Sequence, residues 1–299
     1  MTKVLDQVEG PDWTLIQGDS VEVIRGIPDA SVGLSVYSPP FSNLYVYSDS
    51  ERDMGNSADD GEFLEHYAFL AGELLRVTKP GRLCAVHCKD LVDYKGSAGR
   101  AGLRDFPGDL IRVHEAAGWK YHSRITVWKC PVKEMQKTKA HGLLYKQLRR
   151  DSTFSRQGLA EYVLVFRRWP DEGEAEEVEP VGHTKESFPL PQWQEWASPV
   201  WMSVRQTDVL NVSAAREDGD EKHMCPLQLD LIERCITLWS NPGDVVFSPF
   251  GGVGSEPVVA LRLGRKAVAI ELKRSYFERA VRNCQEVRQQ LTIDVEALR

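Results

Sequence analysis

Short apolar runs alternate along this chain with stretches of helical periodicity. Buried strands are predicted at residues 32–37, 82–88, 121–129, 162–168, 244–248 and 266–272, and helices at 62–77, 106–117, 226–239, 256–263 and 274–290. Because strands that alternate with helices build a mostly parallel sheet covered on both faces, the pattern predicts an α/β fold. With 299 residues, of which 42% are hydrophobic, the chain can form one large domain or a domain with an insertion.

The charge of the chain is distributed unevenly. The net charge of −7 argues against a protein that coats nucleic acid. The segment from Trp119 to Trp169, however, contains twelve basic and three acidic residues, which give it a local net charge of +9. Residues 171–179 then carry six carboxylates, a composition that predicts a solvated and poorly ordered linker. The basic block indicates an anionic partner that binds at one place.

The cysteines and the hydropathy of the chain favour an intracellular protein. Six cysteines occur without a CxxC pair, which indicates reduced thiols. Cys84, His87 and Cys88 lie in a predicted strand whose alternation sends neighbouring side chains to opposite faces, so we predict no metal site. The sequence shows no apolar run of about 20 residues and no signal-peptide region, and we expect a cytoplasmic protein.

A glycine-rich turn between two predicted strands is the most specific local pattern. The strand 244–248 runs into Gly251, Gly252 and Gly254, and the strand after the next helix ends on Glu271, twenty positions beyond Gly251. In nucleotide-binding α/β units, such glycines let the backbone approach the ligand, and an acidic residue at this spacing accepts hydrogen bonds from the ribose. The spacing differs from GxGxxG, and we therefore predict a cradle for an adenosyl group without a pyrophosphate.

Near the N-terminus, Gly18, Asp19 and Ser20 follow another short predicted strand. The Asp19 carboxylate is placed to accept a hydrogen bond from an adenine amino group. The same residues fit an ordinary turn with an N-capping Asp or Ser, and taken alone they favour that interpretation.

The stretch VYSPPF ends a buried strand with two prolines and an aromatic ring. Proline lacks an amide hydrogen and holds the preceding residue extended, so this strand end presents hydrogen-bond acceptors without competing donors. The Ser38 hydroxyl and the Pro39 carbonyl can both accept from one exocyclic amino group, and Phe41 can stack on the ring that carries it. Two such acceptors favour a pyramidal nitrogen whose lone pair can attack a sulfonium methyl group directly. In a duplex the base must first be flipped out.

These motifs together resemble the amino-group DNA methyltransferases of the β arrangement. SPPF, the segment HMCPLQLDLIERCI at 223–236, FGGVG at 250–254 and Glu271 occur in the order of that family, in which the catalytic motif precedes the cofactor motif. The resemblance implies an α/β, Rossmann-like, S-adenosylmethionine-dependent fold with a circularly permuted, mostly parallel, seven-stranded sheet. It implies a catalytic half at 1–130, a target-recognition insertion at 131–222, with strand 162–168 rejoining the sheet, and a cofactor-binding half at 223–299.

The resemblance also assigns roles to residues. The catalytic tetrapeptide would be Ser38, Pro39, Pro40 and Phe41. The S-adenosylmethionine site would comprise Asp19, Ser20, His223, Cys225, Pro226, Leu227, Ser248, Phe250, Gly251, Gly252, Gly254, Ser255 and Glu271. Double-stranded DNA would meet the basic insertion at Lys133, Lys137, Lys139, Lys146, Arg149, Arg150 and Arg156. Three tryptophans of the insertion, at 193, 196 and 201, are expected to pack it onto the core.

Two departures from the family pattern bear on the reaction. Many members have DPPY where this chain has Ser38 to Phe41, and the SPP form is usually associated with N4 of cytosine, with N6 of adenine as the rival. Ser248 stands where many members carry an aspartate, which removes one carboxylate near the cofactor. No Pro-Cys dipeptide occurs, which disfavours cytosine-C5 methylation.

Two other kinds of function share parts of this pattern. The motif order disfavours protein glutamine and RNA methyltransferases, and an inactive DNA-binding module of the same fold is the alternative of another class. The sequence leaves open the recognition site, the presence of a cognate restriction enzyme from a restriction-modification system, and whether the protein forms a homodimer.

Overall fold

The computed structural model describes residues 3–41, 60–93, 99, 102–138, 141–212, 215 and 226–297. Its strands are β1 (Val4–Gly10), β2 (Trp13–Gly18), β3 (Val32–Tyr37), β4 (Thr78–Cys88), β5 (Leu91–Asp93), β6 (Gly102–Arg104), β7 (Lys120–Val127), β8 (Glu161–Arg167), β9 (Val200–Trp201), β10 (Val245–Ser248) and β11 (Lys266–Glu271). Its helices are α1 (Ser20–Val23), α2 (Asp60–Val77), α3 (Phe106–Ala116), α4 (Pro131–Thr138), α5 (Tyr145–Arg150), α6 (Leu190–Trp196), α7 (Leu229–Trp239), α8 (Ser255–Arg262) and α9 (Arg274–Ala297). The predicted strands and helices are therefore present, with shifts at their ends.

One large sheet organises the described chain. Its strand order is β1-β2-β11-β10-β3-β4-β8-β7-β9, while β5 and β6 form a separate pair. Strands β2, β11, β10, β3 and β4 run parallel, and β8 is antiparallel to both of its neighbours. The seven strands from β2 to β7 form the mostly parallel sheet that the sequence predicts.

Two edge strands enlarge this sheet to nine and were not predicted. Strand β1 pairs antiparallel with β2, and the two-residue β9 pairs parallel with β7. The side chains of β1 are exposed or half-buried and include Asp6 and Glu9, so its sequence lacks the apolar run of a buried strand. An edge strand has only one paired neighbour, which fits the exposure of β1.

Helices cover both faces of the sheet. One core cluster joins apolar residues of the central strands to α7, α8 and α9, including Leu231, Ile236 and Phe277. The other joins the opposite face to α1, α2 and α3, including Phe63 and Leu74. Neighbouring residues of one strand alternate between the clusters, as Cys84 and Ala85 do in β4. Within the described part of the chain, no helix is both long enough and apolar enough to cross a membrane.

The tryptophans of the insertion differ in their surroundings. Trp201 is buried against the sheet, as expected, and the guanidinium of Arg234 on α7 lies 5.4 Å from its ring centroid. The same guanidinium lies 5.3 Å from the ring of Trp196, whereas 52% of Trp193 is exposed. Trp201 and Trp196 therefore pack the insertion onto α7, and Trp193 does not.

The acidic segment 171–179 is held against the amino ends of the parallel strands, contrary to the expectation of a poorly ordered linker. Glu174 accepts from Arg168 at 2.6 Å, and Glu179 accepts from Arg82 at 3.1 Å. Arg82 is buried and also donates to Asp244 at 3.0 Å, just before β10. Because a buried guanidinium needs several acceptors, Arg82 fixes two carboxylates from distant parts of the chain.

The Arg82–Asp244 pair should make a measurable contribution to stability. Replacing Arg82 with Met leaves Asp244 buried with the hydrogen bond from the Asn241 amide at 2.7 Å and the longer 3.6 Å contact to the charged Lys79. We expect the free energy of unfolding in urea to fall by about 3 kcal/mol, because a buried carboxylate loses its main partner. Arg112→Met is the control, since Arg112 pairs with Asp109 while 65% exposed, and a loss of under about 1 kcal/mol is expected there. Equal losses in the two variants would contradict the assignment.

Candidate active site

The carboxyl ends of five parallel strands meet at one edge of the sheet. From β10 the chain continues outward through α8 to β11, whereas from β3 it continues in the other direction through α2 to β4. The boundary between β10 and β3 is therefore a topological switch point, where ligands bind in open α/β sheets. The parallel register pairs Val246 with Leu34 and Phe247 with Ser35, which brings the SPPF and FGGVG segments side by side.

The SPPF segment extends β3 at this edge. Ser38 is half-buried, and Pro39 and Pro40 are buried. Phe41 is half-buried and meets Phe106 of α3 edge to face, with 6.3 Å between the ring centroids. The prolines and this ring contact fix the backbone that carries the Ser38 hydroxyl and the Pro39 carbonyl.

The Ser38 hydroxyl has a partner that the sequence did not identify. His87 Nδ1 lies 3.2 Å from Ser38 Oγ, and His87 Nε2 lies 3.0 Å from Glu161 Oε2. The β3–β4 register pairs Tyr37 with Val86, so Ser38 and His87 are level at the ends of adjacent strands. A signal existed in the sequence, because a histidine near the end of β4 stands beside the end of β3 once those strands pair.

Glu161 begins β8 and gathers three polar partners. Besides His87, it contacts Lys129 Nζ at 2.7 Å and Gln228 Nε2 at 3.4 Å. Burial opposes the ionisation of Glu161, but the hydrogen bonds and charge interactions with His87 and with Lys129 outweigh it and lower its pKa to about 2. Glu161 is therefore a carboxylate across the physiological range, and it acts as a hydrogen-bond acceptor.

The glycine turn brings backbone to the same edge. Gly252 and Gly254 have φ values of +52° and +86°, which residues other than glycine rarely adopt. The Gly251 amide donates to the Ile270 carbonyl at 2.8 Å, which ties the turn to β11. A Cβ placed on Gly252 would meet no atom within 4 Å, so the turn presents open backbone to a ligand.

Glu271 ends β11 directly beside this turn, as the sequence spacing predicts. Its carboxylate accepts from the Gly252 amide at 2.7 Å and from the Lys273 amide at 2.8 Å. Two backbone donors hold the carboxylate at the rim of the glycine turn. This position fits a group that accepts hydrogen bonds from ribose hydroxyls.

Asp19 and Ser20 stand at the end of β2. Asp19 Oδ1 accepts from the Val21 amide at 2.9 Å, so Asp19 is the N-cap of α1, in agreement with the interpretation that its residue type favours. The Ser20 hydroxyl donates to the Pro249 carbonyl next to the glycine turn. Through Ser20 the end of β2 is joined to the loop that follows β10.

The remaining predicted cofactor residues have varied surroundings. The Phe250 ring lies 5.8 Å from the ring of Tyr37, and Ser255 is buried in the first turn of α8. Ser248 Oγ is buried and has no hydrogen-bond partner in the part of the chain that the structure describes. Pro226 is half-buried, Leu227 belongs to the core, and His223 and Cys225 lie outside the described residues.

A buried carboxyl group adjoins the site. Glu256 is in the first turn of α8 and is almost fully buried. Burial, with a further contribution from the charge of Glu271, raises its pKa to about 8. Among the described residues, no group of three or more His, Cys, Asp or Glu side chains could hold a metal ion.

The basic insertion leaves the sheet and returns to it at this same edge. Strand β7 ends there at Val127, and antiparallel β8 begins there at Glu161. The predicted DNA-binding residues that are exposed are Lys133 on α4 and Lys146, Arg149 and Arg150 on α5. Arg156 is half-buried, with its guanidinium 3.9 Å from Glu134. Lys139 and the side chain of Lys137 lie outside the description.

This permuted sheet, with a glycine turn beside a Ser-Pro-Pro-Phe strand end, is the arrangement of the S-adenosylmethionine-dependent methyltransferases. Within that class the chain belongs to the DNA methylase family of N6 and N4 methyltransferases, whose model matches residues 32–282. The resemblance found in the sequence is confirmed, and the chain is an S-adenosylmethionine-dependent DNA amino-methyltransferase.

The chain is also similar to individual DNA methyltransferases in sequence and in fold. The chain is 27% identical to the Type II methyltransferase M.Cfr9I of Citrobacter freundii, over 91% of this chain and 87% of that protein. A putative DNA modification methylase of Thermus thermophilus, TTHA0409, solved with S-adenosyl-L-methionine, superposes with a TM-score of 0.63 at 22% identity, covering 91% and 94% of the two chains. The cytosine-N4-specific PvuII DNA methyltransferase gives 0.61 at 18% identity, covering 91% and 86%. These structures share the fold.

Glu256 should make stability depend on pH in a specific direction. Its raised pKa means that the folded protein keeps a proton that the unfolded chain releases above about pH 4.5, so stability falls as pH rises from there towards 8. Glu256→Gln removes this loss. We expect the variant to unfold at nearly the wild-type urea concentration at pH 5 and to be more stable by about 3 kcal/mol at pH 8.

The control for this measurement is Glu65→Gln, which changes an exposed carboxyl on α2. The control should follow the wild type at both pH values. A Glu256→Gln difference of the same size at pH 5 and pH 8 would show that Glu256 is not buried as a protonated acid.

Proposed function

We propose that this enzyme transfers a methyl group from S-adenosylmethionine to N4 of a cytosine that has been flipped out of double-stranded DNA. The observation that carries the proposal is the position of Ser38 at the switch point. There the Ser38 hydroxyl and the Pro39 carbonyl follow the end of β3, beside the glycine turn that follows β10. The SPPF segment would bind the target amino group, and the glycine turn would bind the methyl donor.

The cofactor would occupy the glycine turn. The open backbone at Gly252 and the N-terminus of α8 suit its methionine part, since a helix N-terminus favours a carboxylate. Glu271 suits its ribose hydroxyls, and Phe250 offers an apolar wall beside them. The unpartnered Ser248 hydroxyl supplies a polar group that a bound ligand would satisfy. Asp19 and Ser20 would border the adenine side.

The chain contributes positioning to the reaction. Ser38 and Pro39 accept hydrogen bonds from the target amino group, which directs the nitrogen lone pair towards the cofactor side of the edge. Bound S-adenosylmethionine supplies an electrophilic methyl group on sulfur. The new N–C bond would form as the S–C bond breaks, with S-adenosylhomocysteine as the leaving group and one proton released from the methylated nitrogen. Well-oriented partners of this kind reach effective molarities of about 10⁵ to 10⁸ M.

DNA would approach the carboxyl edge. The exposed basic residues of α4 and α5 belong to a segment that starts and ends at that edge, and residues 131–222 would carry target recognition. Extrusion of the base costs a few kcal/mol and is needed because the amino group is otherwise paired inside the duplex. Phe41, whose ring contacts Phe106 and lies 5.4 Å from Lys89 Nζ, would stack on the flipped base.

The assignment to cytosine rests on Ser38. The PvuII enzyme is cytosine-N4-specific by its description, but at 18% identity its likeness to this chain concerns the fold. The test is nucleoside mass spectrometry of DNA methylated by the purified protein. N4-methylcytosine supports the proposal, N6-methyladenine transfers the assignment to the rival base, and the absence of both overturns the proposed transfer.

Removing the Ser38 hydroxyl should slow the reaction without affecting the cofactor. We expect Ser38→Ala to lower kcat by about 10²- to 10³-fold, the range seen when one oriented hydrogen-bonding group is lost from an active site. Binding of S-adenosylmethionine, followed by titration calorimetry, should stay within a factor of two or so of the wild type. Ser31→Ala, just before β3 at its opposite end, is the control. Wild-type activity in Ser38→Ala would remove Ser38 from the mechanism.

The exposed basic residues of α5 should carry part of the DNA affinity. Replacing Lys146, Arg149 and Arg150 with Gln should weaken binding to a duplex. The slope of log K against log salt should fall in magnitude by about 2 to 3, because a protein that makes three fewer phosphate contacts releases fewer counterions. The matched control replaces Lys120, Arg262 and Lys266, which are exposed at the amino edge. A slope that changes equally in both triple variants would place the DNA elsewhere.

A further inference from the structure

We propose that His87, held by Glu161, is a positioning residue that makes Ser38 a hydrogen-bond acceptor for the target amino group. This inference rests on the proposed function. It concerns a serine–histidine–carboxylate chain that the motifs of the sequence do not contain and that only the folded protein assembles.

The chain of contacts joins four elements at the carboxyl edge. Ser38 follows β3, His87 lies in β4, Glu161 begins β8, and Lys129 follows β7. The distances are 3.2 Å from Ser38 Oγ to His87 Nδ1, 3.0 Å from His87 Nε2 to Glu161, and 2.7 Å from Glu161 to Lys129 Nζ. His87 is 7% exposed, so the imidazole is fixed by these contacts and by the strands around it.

Glu161 fixes one proton of this chain, and the proposal takes the imidazole of His87 to be neutral. Ionised Glu161 can only accept hydrogen bonds, so His87 Nε2 must carry a hydrogen and donate it. In the neutral imidazole, Nδ1 is then an acceptor. A hydroxyl has one hydrogen, and the acceptor at Nδ1 draws that hydrogen away from the substrate side. Both remaining lone pairs of Ser38 Oγ are then available to the amino group.

This arrangement addresses a chemical difference between serine and aspartate. Many members of the family carry aspartate at the position of Ser38, and an aspartate carboxylate accepts hydrogen bonds in any orientation. A free serine hydroxyl can also donate, and a hydrogen pointed at the amino nitrogen would occupy the lone pair that has to attack the methyl group. His87 removes that option, and it does for Ser38 what negative charge does for aspartate.

The inference is tested by comparing kcat with binding in His87 variants. We expect His87→Ala to lower kcat by about 10- to 100-fold, the size of effect that misplacement of a reacting group brings, while the affinities for S-adenosylmethionine and for duplex DNA remain at wild-type values. His87→Asn should recover much of that loss, because an amide oxygen near the Nδ1 position can accept from the hydroxyl. His122→Ala is the control, since His122 Nδ1 also contacts a serine, at 2.9 Å, but on an exposed strand position.

A double-mutant cycle separates this role from a structural one. In the Ser38→Ala background, His87→Ala and His87→Asn should cause no further loss of kcat, because the hydroxyl that they orient is absent. Losses that multiply in the double variants, or wild-type kcat in His87→Ala, would overturn the inference. If His87→Ala does not fold, as judged by thermal unfolding, the cycle is completed with His87→Asn. A wild-type protein that methylates no amino group in DNA contradicts the proposed function instead, and the two failures are distinct.

Discussion

The parallel pairing of β3 with β10 is the constraint on which the site depends. These strands are more than 200 positions apart in the sequence, and their register sets Ser35 against Phe247. Because both strands run in the same direction, their carboxyl ends open into one crevice. The SPPF segment that follows one strand and the glycine turn that follows the other therefore meet, and the site needs both segments.

The sheet also separates the two charged segments of the chain. The basic insertion leaves β7 and enters β8 at the carboxyl edge, while the acidic segment follows β8 at the amino edge. There Arg168 binds Glu174, and Arg82 binds both Glu179 and Asp244. In an acidic protein with a net charge of −7, the exposed lysines and arginines of α4 and α5 thus belong to a segment that leaves and re-enters the sheet at the edge opposite to the acidic segment.

The accuracy of the sequence-based predictions followed from the range of the interactions involved. The central strands and helices were predicted because their apolar runs and periodicity are local, and the Gly251–Glu271 spacing is local as well. Strand β1 was missed because it mixes polar and apolar residues and is largely exposed. The acidic segment was wrongly expected to be poorly ordered because Arg82, the partner of Glu179, lies 97 positions away. His87 was interpreted only within its own strand, although Ser38 and Glu161 flank it in space.

By itself the sequence determined the α/β class, the order of the motifs and the residue types at the strand ends, since these depend on periodicity, glycine conformation and proline geometry. The tertiary structure decided which of those strand ends meet and which side chains surround the Ser38 hydroxyl. A hydroxyl can donate or accept, and nothing within VYSPPF selects between the two. We infer that His87 makes that selection, because strand pairing brings its imidazole within hydrogen-bonding distance of Ser38 on one side and of the Glu161 carboxylate on the other.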